Sequence, residues 1–262
     1  MKKIYFMTAL IVPFACACSY ESLDHVAESA IAPIPQVRSL ADTSYTERGS
    51  CEFLYHGKRY SSTYTVLNDS ICEYDNKEVR EFIESHTHQK ELHVFVHNNG
   101  QLEYFDTEDE MTRALESEQK HKTRSSENPW DLYRYGVLKE ADLELYEDSR
   151  WKGKALYYHL GSQDIVEVAD LGAEKFDNKL SAFRLNGTFT KTDMEIGSSG
   201  GLLTFYLDTN FQSFTLNYSI GIDNPNANHI RLKEVKGVGP FMRENWNDKV
   251  SSFRLKRMKS HV

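Results

Sequence analysis

A chain of 262 residues with 40% hydrophobic and 12% aromatic content has room for one large domain or two small ones with genuine cores. Its 31 basic against 39 acidic residues leave a net charge of −8, which excludes the broad basic footprint that nucleic-acid binding needs. Fifteen Tyr and fourteen Phe against six Met favour strands over helical bundles.

Lys2 and Lys3 precede an apolar run, Ile4 to Ala17, that is too short to span a bilayer and is followed by polar chain, the pattern of a cleaved export signal. Ala15-Cys16-Ala17 meets the small-residue rule for a signal peptidase, with Cys18 next in line. A Cys after small residues is similar to a bacterial lipobox, although Ala15 stands where that motif has Leu. Residues 1–18 are therefore expected to be a leader, and the protein to be exported, either held at a bacterial envelope by a lipid on Cys18 or secreted. No later segment is apolar enough to cross a membrane as a helix. Export leaves Cys51 and Cys72 as an even pair in an oxidising compartment, most simply a disulfide.

Residues 19–48 mix Ser, Glu, Ala and Pro without apolar periodicity and read as a flexible tether. A small α+β segment follows over 49–115. Cys51 to Tyr55, a His56-Gly57-Lys58 turn and Tyr60 to Leu67 read as a hairpin. Lys77 to Ser85 carries Val79, Phe82 and Ile83 at helical spacing. Leu92 to Val96 and Leu102 to Phe105 form a second hairpin around Asn98-Asn99-Gly100. Thr107 with Glu110 is a capping box opening a helix through Leu115, so the predicted order is ββαββα. Charged, aperiodic residues 116–129 read as a linker.

The rest of the chain, 130–262, contains a repeat. FDNKLSAFRL at 176–185 and WNDKVSSFRL at 246–255 share Lys, Ser, Phe, Arg and Leu and otherwise swap like for like. Upstream, Leu143 to Asp148 aligns with Leu203 to Asp208, and Trp151 with Phe211. The offset between the copies grows from 60 residues at Tyr146/Tyr206 to 70 at Ser181/Ser251, so the second copy has ten extra residues, expected in the loop-like Gly221–Asn228.

Tyr146 and Trp151 with Gly153, then Asp177-Asn178-Lys179-Leu180-Ser181-Ala182, answered by Tyr206, Phe211 and Asn247-Asp248-Lys249-Val250-Ser251-Ser252, resemble the βγ-crystallin family in its microbial calcium-binding form. The resemblance implies a mainly β fold over about 140–257, a sandwich of two Greek keys at about 143–186 and 202–256. It implies up to two calcium ions held between the motifs, by Asp177, Lys179 and Ser181, by Asn247, Lys249 and Ser251, and by the backbone of Glu147 and Leu207.

The residues accord with a hard cation independently of the family, because such a turn offers carboxylate, amide, hydroxyl and unpaired carbonyl oxygens. Few carboxylates surround either turn, so dissociation constants on the order of 10⁻⁵ to 10⁻³ M are expected. Ala182 departs from the signature's final Ser, and Ser213 from the corner Gly. No Gly-rich phosphate loop, nucleophile elbow or metalloprotease helix motif appears, and the expected role is an exported calcium-stabilised structural or binding module rather than an enzyme; the runner-up is a protease inhibitor presenting Gly221–Asn228, and a third is an envelope adhesin or scaffold with a protein or glycan partner. His86, His88, His93 and His97 are of a zinc-binding type but have no Cys or carboxylate at a recognisable ligand spacing, so they read as ordinary histidines. The run Asp106 to Glu110 reads as helix capping. The basic residues Arg254, Lys256, Arg257 and Lys259 read as a solubilising tail.

Overall fold

Tyr, Thr and Val on both sides of His56-Gly57 fold as a hairpin: β1 (Thr46–Tyr55) pairs antiparallel with β2 (Lys58–Leu67), and His56 and Gly57 both take positive φ, 48° and 72°, in the two-residue turn. The computed structural model describes residues 46–67, 71–124, 135–192, 199–229, 231–238 and 241–259. The expected leader, the Cys18 anchor, nearly all of the tether and residues 125–134 lie outside the described residues.

A short strand that the sequence did not announce, β3 (Ile71–Tyr74), pairs with β2. Helix α1 (Lys77–His86) begins where the Asn76 side chain accepts from the Glu78 N–H, and it buries Val79, Phe82 and His86. The second hairpin is β4 (His93–Val96) with β5 (Leu102–Phe105), turning through Gly100 at φ 83°. Helix α2 (Glu108–Arg124) runs nine residues past Leu115 into the stretch read as linker.

The repeat supplies the remaining strands. The first copy is β6 (Tyr135–Asp148), β7 (Lys152–Leu160), β8 (Ile165–Val168) and β9 (Ala182–Thr192). The second is β10 (Ser199–Asp208), β11 (Gln212–Ile220), β12 (Asn226–His229), an extra hairpin β13 (Lys236–Val238) and β14 (Phe241–Asn245), and β15 (Ser252–Lys259). The third strand of each copy crosses to the other's sheet: β8 pairs with β15, and β12 with β9. That exchange makes two interlocked Greek keys.

Three features of the structure differ from the sequence expectation. The ten extra residues are not mainly at Gly221–Asn228. The β11–β12 connection has five residues against four between β7 and β8, whereas 22 residues separate β12 from β15 and only 13 separate β8 from β9. The added length is the β13–β14 hairpin. Second, Cys51 lies opposite Ser62 and Cys72 opposite Val66, on the two strands flanking β2. Two strand spacings across and four residues along put their Cα atoms roughly 16 Å apart, far beyond disulfide reach. Third, the basic end is strand β15 rather than a tail: Arg254 pairs with Glu167, Lys256 with Glu108 and Lys259 with Asp164.

Strand β4 runs parallel to β11, with Thr215 opposite His93 and Asn217 opposite Phe95. The nine-stranded sheet β3-β2-β1-β5-β4-β11-β10-β15-β8 therefore runs unbroken from the α+β segment into the second Greek key, and Ser44–Val262 forms one compact unit. Both faces of the junction are buried. Val94 and Tyr104 join the main core with Leu203, Phe205 and Leu216, while Phe95, Phe105, Met111 and Leu115 pack with Leu202 and Met258 beneath α2. Double burial explains why Leu92–Val96 reads as nearly continuous apolar chain.

The extra hairpin closes the same junction. Gly237, at φ 92°, leaves its space to the fully buried Tyr104, whose hydroxyl a Cβ there would strike. Gly237→Ala is expected to lower unfolding free energy by about 1–3 kcal/mol in chemical denaturation, through overpacking and a positive φ. Gly221→Ala, with nothing within 4 Å of the added Cβ, serves as the near-neutral control.

The junction is also acid-sensitive. Burial pushes the His93 imidazole down, against the opposing pull of Glu108 and Glu91, and the ring shares a hydrogen bond with Thr215 Oγ1 at 3.0 Å. Burial raises the Glu108 carboxyl, but its 2.7 Å contact with Lys256 outweighs this and leaves it below the ordinary range. Both groups are thus more acidic folded than unfolded, so their stabilisation is present above the unfolded values and is lost as pH falls. Melting temperature is expected to drop between about pH 7 and pH 4, with His93→Gln flattening the upper part of the profile and Glu108→Gln the lower.

Candidate functional site

The two repeated decapeptides form facing turns. Each begins with a fully buried aromatic, Phe176 or Trp246, and each places its second signature residue in the left-handed region, Asn178 at φ 52° and Asp248 at φ 55°, a conformation that Asn and Asp tolerate best among non-glycine residues. The turns bond to one another across the pseudo-twofold: Asn178 N–H donates to Val250 O at 3.2 Å, and Asp248 N–H to Leu180 O at 3.0 Å. Each is also tied to the first strand of its own copy, Ser181 N–H to Tyr146 O and Ser251 N–H to Tyr206 O, both at 3.0 Å.

This pairing decides which nominated residues meet. Ser181 Oγ donates to the Asp248 carboxylate of the opposite copy at 3.1 Å. Glu147 and Leu207 fall where the ladder register shifts, between Tyr146 and Asp148 and between Tyr206 and Asp208, so each is a β-bulge residue outside the regular pairing. Asp177 Oδ2 instead accepts from Asn178 Nδ2 at 3.1 Å, and Asn247 Nδ2 donates to Asp248 Oδ2 at 2.6 Å. Lys179 Nζ reaches Glu147 Oε1 at 3.0 Å and holds that carboxyl below its ordinary range. Lys249 and Ser251 occupy the equivalent turn, Lys249 half-buried and Ser251 buried.

Asp248 and Asn178, which the resemblance did not nominate, stand where the two turns meet. The signal was present: a second acidic or amide residue in each turn, at the position that must turn left-handed. Ser181 brings together its own hydroxyl, the Asp248 carboxylate and the Tyr146 carbonyl next to the Glu147 bulge, all oxygen, which fits a hard cation. The residue of the first turn that matches Asp248, by its place in the repeat and its left-handed φ, is Asn178, so the two turns are unequal in charge.

The aromatic corners stand behind these turns. Arg184 lies 3.7 Å above the Trp151 ring and 5.9 Å from Tyr146, and Arg254 lies 4.0 Å above Phe211 and 5.6 Å from Tyr206. The repeated Arg is therefore the lid of each corner. Ser252 Oγ donates to Asp208 O at 2.6 Å and accepts from Phe211 N–H at 3.2 Å, a brace that Ala182 cannot supply in the first copy. The corners keep one backbone shape: Arg150, Trp151 and Gly153 at φ 59°, 59° and 77° match Asn210, Phe211 and Ser213 at 57°, 61° and 73°. Ser213 thus carries the strain that Gly153 avoids. Ser213→Gly is expected to raise stability by about 0.5–1 kcal/mol, and Gly153→Ser to lower it by about 1–2 kcal/mol, in equilibrium unfolding.

The remaining constellations take structural places. His93 bonds Thr215, His97 pairs with Glu103 at 2.8 Å, and His86 is buried against Phe82. Asn217, which opens the glycosylation-type triplet Asn217-Tyr218-Ser219, is fully buried and donates to Val94 O at 3.0 Å. The segment Gly221–Asn228 is held at Asn224 by Asn98, at Pro225 by Gly187, and along β12, so it is not a projecting loop. Beside the second corner, Tyr206, Phe211, Ser213 and Arg254 line one side of an open cleft of about 290 Å³, and His93 and the first residues of α2 line the other.

Two Greek keys that exchange their third strands give residues 135–259 a βγ-crystallin-like fold. The chain is similar to the beta gamma crystallin from Ciona intestinalis, with 20% sequence identity over 43% of this chain and 95% of that one and a TM-score of 0.25. No family model and no curated protein matches the chain.

Proposed function

We propose that the βγ-crystallin-like half of this chain is a calcium-binding structural module, with one ion on each side of the crossed signature turns. The observation that supports it most directly is the meeting of Ser181 from one copy and Asp248 from the other, 3.1 Å apart, beside the bulge at Glu147. Two half-sites on different motifs share an ion, so binding draws together turns that lie about 70 residues apart in the chain. The ion's contribution is electrostatic: it neutralises Asp248 and fixes turns whose left-handed residues cost backbone energy. The chain's own residues set the geometry through the Asn178–Val250 and Asp248–Leu180 bonds. With export expected from the leader, sites of modest affinity stay loaded at extracellular calcium levels.

Asp248 offers a carboxylate where the other site has only the Asn178 amide, so the site at Ser181 is the stronger of the two. The β4–β11 ladder and the α2 contacts make the whole mature chain, not its C-terminal half, the proper sample. In millimolar calcium its melting temperature is expected to rise over chelator, by up to several degrees, since a ligand at 1 to 100 times its dissociation constant adds about 0.4 to 2.7 kcal/mol. Asp248→Asn and Ser181→Ala are expected to remove most of that shift, and Asn178→Ala less of it. Identical melting curves with chelator and with calcium would sink the reading.

A further inference from the structure

Among the described residues, one group of three His, Cys, Asp or Glu side chains brings its ligand atoms within 4.8 Å of one another, and it lies outside the Greek keys: His56, Asp106 and Glu110. Fifty residues separate His56 from Asp106, so no spacing motif announces them. The parallel pairing of β1 with β5 joins them, because Tyr55 lies opposite Tyr104 and the next residues on each strand run into the β1–β2 turn and the start of α2.

The contacts set a charge problem. His56 Nε2 lies 3.4 Å from Asp106 Oδ2, and His56 Nδ1 lies 3.1 Å from Glu110 Oε1. A neutral imidazole has one N–H and one lone pair, so one of the two carboxylates faces a lone pair. A second positive species, a proton or a metal ion, relieves that contact. The carboxylates are already aimed. Asp106 Oδ2 accepts from the Tyr55 hydroxyl at 3.0 Å, Asp106 Oδ1 from Gln89 Nε2 at 3.4 Å, and Glu110 Oε2 from the Asp106 N–H at 3.3 Å. Outer hydrogen bonds of this kind orient metal-binding carboxylates. At the same time the His56 side chain is 43% exposed, which leaves a path for an ion from solvent.

We propose that His56, Asp106 and Glu110 bind a divalent transition-metal ion, with zinc the expected occupant and water completing its shell. One imidazole nitrogen and two carboxylate oxygens are zinc donors, and one ligand atom from each residue lies within 4.8 Å of the others, so a small rotation of these side chains brings them to the separations of about 3.4 Å that tetrahedral zinc with bonds of about 2.0–2.2 Å requires. The ion would clamp the β1–β2 hairpin to the start of α2, and so stiffen the half of the sheet that lies farthest from the calcium turns.

The test is calorimetric titration of zinc chloride into the metal-stripped mature chain with calcium present, so that the signature turns do not compete. One equivalent binding at micromolar strength or better is expected, with at least tenfold weakening in His56→Ala and in Glu110→Gln. His159→Ala removes an exposed histidine paired with Asp142 in the first Greek key and is expected to leave the titration unchanged. Cobalt substituted for zinc is expected to give visible absorption that is lost in His56→Ala. Melting curves in chelator check that the variants fold. Absence of zinc binding at millimolar concentration, or equal affinity in His56→Ala, overturns the proposal; in the second case the zinc sits elsewhere. Neither result bears on calcium.

Discussion

Two backbone hydrogen bonds, Asn178 to Val250 and Asp248 to Leu180, hold the repeated turns face to face, and both sheets depend on that pairing. Each turn leads directly into a final strand, β9 or β15, which lies against the first strand of its own copy and the third strand of the other. Were the turns to separate, both exchanges would lose their anchor. The left-handed residues and the bulges at Glu147 and Leu207 follow from the same constraint: backbone that crosses between sheets must leave the ladder at defined points, and the oxygens freed there are what a cation can use.

The α+β segment is built onto this frame as an extension of it. An edge strand of a Greek key carries unpaired N–H and C=O groups, which invite association. Here β11 is capped by β4, and the new edge falls at β3, four residues long. Burial on both faces makes the junction a core and not a hinge: α2 covers it on one side, and Tyr104 with the β13–β14 hairpin closes it on the other. The ten residues by which the second copy exceeds the first therefore have a packing role. They form the seat for a neighbour that the first copy lacks.

Asymmetry between the copies has the same origin. The first corner is open, with Trp151 under Arg184 and Tyr157 69% exposed on an edge strand. The second lies beside the cleft at α2, braced by Ser252, with Arg254 drawn toward Glu167. Ser213 keeps a glycine-like φ of 73°, held there by surroundings that determine the corner from several sides.

Much of this was legible from residues alone. Repetition of FRL after an acidic-amide turn, and of Tyr with Trp or Phe before it, announced two Greek keys, because strand alternation and turn chemistry are local and survive in the sequence. The Asn98-Asn99-Gly100 turn, the Asn76 cap and the Val79/Phe82 face of α1 were equally local. What stayed hidden were relations between distant segments: the β4–β11 ladder, the separation of Cys51 from Cys72, the choice of Asp248 over Asp177 as the partner of Ser181, and the approach of His56 to Asp106 and Glu110. Each depends on strand order and register, which arise from the burial of whole faces and leave no mark at any single position. The sequence by itself determined the units and their turns. Only the tertiary structure decided which turn faces which, and hence where oxygen and nitrogen donors converge.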